Sequence, residues 1–292
     1  MGSFWVSDEY GPHVYKFGKM VLALQPPSAF LPRRNGTVSF SAGSPPVYDP
    51  DETPIPEDPR SGRANNQGFE RLTVSPDGTK LYVMIQSALN QEGGPDNPLC
   101  RPARVLEYDI FSDQPKYLYE YVVMLPTYLD YTEEDEDDTE KVAVQSEIHQ
   151  LPTGDLSWLA TRGSAMDKST PKLAKFGLHS GAKQNATLLN EKWESLALLK
   201  AYPSITLPKE ENEYFLFSFT DNDYVTTDGH LKFGRYSYSD HSGYNIDTQV
   251  LVFHLKFKGP EDGFDAPLQL RTKDIWQQFG ASYFVNFRTN IS

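Results

Sequence analysis

A short phrase recurs three times along the chain: a glutamate, a run of alternating apolar residues behind it, then a turn and a second run. It reads Gln67-Gly68-Phe69-Glu70-Arg71-Leu72-Thr73-Val74, then Gln145-Ser146-Glu147-Ile148-His149-Gln150-Leu151, then Lys192-Trp193-Glu194-Ser195-Leu196-Ala197-Leu198. Alternation with period two belongs to strands, which places Glu70, Leu72 and Val74 on one strand face and Glu147 and His149 on another. A glutamate at the head of several equivalent strands gathers carboxylates in one place, and that place is the candidate site.

The residues after each phrase extend it into a meander. Ser75-Pro76-Asp77-Gly78 is a tight turn in which proline fixes φ and glycine supplies a positive one, and Lys80 to Ser87 reads as the next strand. Arg104 to Ile110 and Tyr117 to Leu125 come next as third and fourth strands. Pro152-Thr153-Gly154-Asp155 repeats the turn after the second phrase. Ser3 to Glu9, His13 to Phe17 and Met20 to Gln25 read as three strands of a blade that lacks its first. Glu194 to Leu199, Tyr214 to Thr220 and Thr248 to Phe257 supply most of another. The expected architecture is all-β, a β-propeller-like array of four-stranded antiparallel blades that is incomplete. One propeller-like domain over 1–258 would carry a long loop at 44–66, an acidic loop at 132–140 and a shortened blade at 144–180, with 259–292 a tail of unassigned structure.

Charge and composition narrow the partners. A net charge of -13 argues against nucleic acid, whose partners present a basic face. An aromatic content of 13%, with 17 Tyr and 17 Phe, favours strands. No apolar run approaches the roughly 20 residues of a membrane span. Asp8 and Glu9 fall where a signal peptide would have its apolar core, so no leader is visible. Cys100 stands alone between prolines and makes a poor nucleophile. Neither a Gly-x-Ser-x-Gly elbow nor a glycine-rich nucleotide loop occurs. The run Glu133 to Asp138 lacks the spacing of an EF-hand and reads as a solvated loop.

Several phrases together resemble one family. Phe4-Trp5-Val6-Ser7-Asp8-Glu9-Tyr10-Gly11-Pro12, Asn65-Asn66-Gln67-Gly68-Phe69-Glu70, Leu72-Thr73-Val74-Ser75-Pro76-Asp77-Gly78, Gln145-Ser146-Glu147-Ile148, Asn190-Glu191-Lys192-Trp193-Glu194-Ser195-Leu196 and Ser218-Phe219-Thr220-Asp221-Asn222-Asp223 are similar to phytase-like domain proteins described by an esterase-like activity, in a fungal-type form. The resemblance implies a propeller-like hydrolase, often exported, acting on phosphate or other esters. Two departures mark a shortened member. Family sequence usually precedes the Trp5-Val6-Ser7-Asp8-Glu9 phrase, and Thr161-Arg162-Gly163-Ser164 leads almost directly to Lys175 where further strands ordinarily stand.

In an antiparallel meander the start of one strand lies beside the end of the next. Glu70, Glu147 and Glu194 open first strands, while Asp8, Glu9, Asp221 and Asp223 close second ones. All seven are therefore expected at one mouth of a central channel. Gathered carboxylates need a cation, and an all-oxygen set suits Ca²⁺. In that expectation the ion polarises a small-molecule ester or phosphoester while Glu147, Glu70 or His149 activates water. His149 reads equally as a structural partner of Glu147. Arg162 and Lys192 read as a phosphate clamp, or Lys192 as a balance for Glu191 and Glu194. Asp221-Asn222-Asp223 reads as a ligand set or as an Asx turn. A non-catalytic binding propeller, an inactive shortened family member and a calcium-dependent lactonase are the rival functions.

Overall fold

The computed structural model describes residues 2–40, 43–44, 47–48, 54–95, 97, 99–130, 139–151, 156–161, 193–200, 213–222, 224–245 and 248–256. Among them the regular structure is strand, with helix confined to the 3-10 turns Ser28–Phe30 and Asn90–Glu92. The strands in chain order are β1 (Phe4–Ser7), β2 (Val14–Phe17), β3 (Val21–Leu24), β4 (Arg33–Arg34), β5 (Thr37–Val38), β6 (Gly43–Ser44), β7 (Val47–Tyr48), β8 (Phe69–Val74), β9 (Lys80–Ile85) and β10 (Pro102–Asp109). They continue as β11 (Lys116–Met124), β12 (Thr127–Asp130), β13 (Thr139–Val142), β14 (Val144–Gln150), β15 (Leu156–Thr161), β16 (Trp193–Lys200), β17 (Glu213–Thr220), β18 (Gly229–Leu231), β19 (Tyr236–Tyr238) and β20 (Val250–Lys256). The described residues fall into two compact units, one within Met1–Ala160 and one within Thr161–Ser282.

The fold is all-β, built from several small antiparallel sheets. In the first unit, β8, β9, β10 and β11 form a four-stranded meander. Its first turn forms as the sequence requires. Gly78 takes φ +72°, its N–H donates to Ser75 O at 2.8 Å, and Asp77 Oδ1 accepts from Thr79 N at 3.0 Å. The sheet β1–β2–β3 and the pair β14–β15 accompany it, and β8 lies against both β1 and β14.

The core belongs to this unit. Leu81, Val83 and Ile85 on one side of β9 and Tyr82 and Met84 on the other are all buried, together with Phe30, Phe69, Val105, Leu106, Leu125 and Ile148. A strand covered on both faces reads as a continuous apolar run, and Leu81-Tyr82-Val83-Met84-Ile85 is one. A buried charged group accompanies that core on β10. Glu107 on β10 is 1% exposed, with Lys80 Nζ 2.7 Å from its Oε1 and the Tyr121 hydroxyl donating to its Oε2 at 2.5 Å.

The second unit holds the sheet β16–β17–β20 and the hairpin β18–β19. Parts of both long loops are described. Thr139 and Glu140 belong to β13, so the strand takes the end of the acidic stretch, whose run Glu133 to Asp138 lies outside the described residues. The stretch 54–66 is irregular but tied down by the buried Arg34. Its Nε donates to Pro56 O at 2.8 Å and its Nη2 to Asn65 Oδ1 at 3.0 Å.

Candidate functional site

The first correction comes from the phrase itself. In the β8–β9 ladder Phe69 pairs with Ile85 and Arg71 with Met84, so Glu70 is an extra residue at a β-bulge. Phe69, Leu72 and Val74 then share one face, and Arg71 and Thr73 the other. The expected set Glu70, Leu72 and Val74 does not form, because one inserted residue shifts the alternation. The same device recurs in the second unit. Trp193 pairs with Thr220 and Ser195 with Phe219, which leaves Glu194 as the extra residue. A bulge re-aims the side chain it carries, and both Glu70 and Glu194 stand on one.

Around β8 the structure joins segments that are distant in the chain. Phe69 N donates to Asp8 O at 3.2 Å, and the Ser7 hydroxyl to Glu70 O at 3.4 Å. A Cβ on Gly68 would fall 2.0 Å from Glu9 O, so only glycine permits this approach. Asp8 Oδ1 accepts from Tyr10 N at 2.9 Å and Gly11 N at 3.0 Å, closing an Asx turn. With its amide nitrogen turned toward them, Gln86 donates to Glu9 Oε1 at 3.2 Å and Asn66 O at 2.8 Å. Behind this turn lies Arg63, fully buried, its Nε donating to Tyr10 O at 2.6 Å. Burial and the neighbouring Arg34 lower the Arg63 pKa to about 10, against the opposing pull of Asp8 and Glu9. It stays charged at neutral pH and balances the two acids.

Glu70 and Glu147 meet around Arg71. Arg71 Nη1 lies 3.7 Å from Glu70 Oε1 and its Nε 3.6 Å from Glu147 Oε2. The guanidinium is a third exposed, while both carboxylates are largely buried. At such separations each charge pair is worth about 1 kcal/mol in bulk water and about 4 kcal/mol at an effective dielectric of 20, so the arginine offsets the repulsion of the two acids. The Thr73 hydroxyl, on the same face, accepts from Gln150 N at 3.2 Å, and β14 is thereby fixed beside β8. His149 stands on β14 two residues beyond Glu147, half-buried, and desolvation lowers its pKa below 6.5. It is neutral at pH 7 and competent to accept a proton.

Asp8, Glu9, Glu70 and Glu147 thus belong to one region of the first unit. In the second, the pairing of Trp193 with Thr220 puts Glu194 and Asp221 at one end of β16–β17. Asn222 Oδ1 accepts from Tyr224 N at 3.1 Å, so this residue forms the Asx turn that was one of its two readings. Arg162, Lys192 and Asp223 lie outside the described residues. Among the described residues no group of three or more His, Cys, Asp or Glu is assembled that would hold a metal ion. Asp8 accepts from backbone N–H groups, Glu9 from the Gln86 amide, and Glu70 and Glu147 lie against the Arg71 guanidinium. Arg71 is a site residue that the sequence did not single out, although it stands inside the first phrase, and its position next to the glutamate was the available signal. Gln86 and Arg63 carried none.

The model of the family described as phytase-like, esterase-like activity of phytase, matches residues 1–200. This chain belongs to the phytase-like family. The phytase-like phrases from β1 to β16 supply the Asp8 turn, the two bulge glutamates and Glu147, and Arg71 stands between two of them. An uncharacterized secreted protein of Arthroderma benhamiae is 47% identical over 290 residues, covering 78% of this chain. The chain spans 57% of that protein's length. No solved structure matches this phytase-like chain.

Proposed function

We propose that the chain carries the hydrolytic centre of a secreted, propeller-like phosphate or carboxylic ester hydrolase, at Glu70, Arg71, Glu147 and His149. Family membership supports the reaction class and the secreted name of the fungal relative supports export. The observation that carries the reading is the meeting of two largely buried carboxylates and one arginine at the junction of β8 and β14, with a neutral histidine on the same strand as one of them.

In this reading the half-buried imidazole of His149 takes a proton from water, whose oxygen attacks the ester phosphorus or carbonyl carbon. Glu147, on the same strand, steadies the imidazolium that results. Arg71 presents positive charge to the oxygen on which negative charge develops, and His149 returns the proton to the leaving oxygen. Calcium stays in the proposal only for the acids of the second unit, Glu194, Asp221 and Asp223, where it would supply charge stabilisation.

The test is turnover of 4-nitrophenyl phosphate and 4-nitrophenyl acetate by the purified chain, with calcium and with chelator. Hydrolysis of either, lost in Glu147→Ala and His149→Gln, supports the proposal. A folded protein that hydrolyses neither overturns it. The non-catalytic rival, favoured by the closing of Glu70 and Glu147 on Arg71, predicts ligand binding without turnover.

A further inference from the structure

We infer that Arg71 is a resident cation that joins β8 to β14 and holds divalent metal away from the Glu70–Glu147 pair. It does for this pair what the sequence assigned to calcium. Three observations lead there. The Glu70 bulge flips the phase of β8, so Arg71 faces β14 while Phe69 and Leu72 face the other way. Its guanidinium reaches one carboxylate on each strand, at 3.7 and 3.6 Å, and its Nη1 also donates to Glu70 O at 3.0 Å, which fixes its head over the bulge. The equivalent positions in the other phrases are Ile148 and Ser195, neither of which can carry charge, so the device belongs to this phrase alone.

A calcium ion binds oxygens at about 2.3 to 2.6 Å and accepts six to eight of them. To use Glu70 and Glu147 together it must expel the guanidinium or sit beside its positive charge. Either lowers its affinity for this pair. The inference does not require the hydrolytic reading, because its readout is metal-linked stability rather than turnover.

The experiment is a thermal melt of the full chain at pH 7, with calcium titrated to 10 mM at constant ionic strength, for wild type, Arg71→Gln, Arg71→Lys and Arg71→Gln/Glu147→Gln. The calcium-dependent rise of the midpoint is expected to be larger in Arg71→Gln than in wild type by roughly 4 °C, since a ligand held only by the native state stabilises it. Arg71→Lys should respond as wild type does, and the double variant should lose the gain. An equal calcium increment in wild type and Arg71→Gln overturns the inference. Should Arg71→Gln fail to fold even with calcium, Glu147→Gln in the wild-type background decides. An unchanged calcium response supports the inference, and an abolished one shows that the metal already uses the pair.

Discussion

In the sheet β8–β11 the first strand opens on Phe69-Glu70, with a bulge at the glutamate, and in the sheet β16–β17–β20 it opens on Trp193-Glu194, with a bulge at the same place. Beyond that point the two diverge. Past Glu70 comes Arg71, which bridges two carboxylates, and the neighbouring β9 is buried on both faces. Past Glu194 comes the exposed Ser195, and Leu199, later on the same strand, is 60% exposed. In β17 burial alternates, Leu216, Ser218 and Thr220 being covered while the residues between them are partly open. The bulge travels with the local phrase. The counter-charge does not, because the third phrase has Ser195 where the first has Arg71, and neither does the two-sided burial, which comes from strands contributed by other parts of the chain.

The strongest way to break this contrast is to remove the carboxylates one at a time. Glu147→Gln should lower ester turnover by about 10²-fold, because the imidazolium formed on His149 loses the charge that steadies it, whereas Glu194→Gln should lower it by less than about 10-fold. Equal losses in steady-state assays would make the two bulges functionally equivalent and remove the special status of the Arg71 site.

Stability tests sharpen the same comparison. Lys80→Met leaves Glu107 buried and charged with only the Tyr121 hydroxyl, and should cost about 3 kcal/mol in urea denaturation. Lys200→Met, on the exposed end of β16, should change stability by no more than about 0.5 kcal/mol. The hydrogen bond to Glu107 raises the Lys80 pKa above 10.5. Its contribution is therefore complete below the unfolded value and is lost as pH rises through the higher folded one. An alkaline melting series in which wild type and Lys80→Met converge would show this.

Glycine substitutions probe the two regions more gently. Gly68→Ala drives a methyl into Glu9 O and should cost about 2 kcal/mol. Gly234, in the second unit, has φ +83° with open space around it, and alanine there should cost about 1 kcal/mol from backbone strain alone. A smaller loss at Gly68 than at Gly234 would show that the Asp8 turn yields where the structure holds it rigid.

The smallest effect concerns pH. Desolvation lowers the His149 pKa, so its contribution to stability is complete above the unfolded value of 6.5 and is lost as pH falls through the folded one. Activity that depends on the neutral imidazole moves in the same direction, flat at neutral pH and falling on acidification. An NMR titration placing the His149 midpoint at or above 6.5 would remove the burial argument, and His149→Gln should flatten the acid limb of the stability profile.

Strands and turns were legible in the sequence because their signals are short. The Ser75 to Gly78 turn, the four strands around and after it and the three strands at the amino end all lie within a residue or two of where alternation and turn chemistry place them. Of the seven acids expected together, Asp8, Glu9, Glu70 and Glu147 lie in one region of the first unit. The bulge at Glu70 was not legible, because alternation alone carries no mark of an inserted residue. The ion pairs were hidden for another reason. Arg71 was visible beside Glu70, but its reach to Glu147 depends on β14 lying against β8, and nothing within either phrase states that adjacency.

By itself the sequence determined an all-β chain of small meanders with a glutamate at the head of each repeated phrase, because side-chain periodicity and turn geometry act over a few neighbouring residues. Only the tertiary structure decided that Arg71 joins two of those glutamates, that Glu107 is buried against Lys80, and that Gly68 admits Glu9 at backbone contact. Each of these depends on charges or atoms brought close from separate strands, where burial strengthens their interaction and close packing fixes which side chains meet.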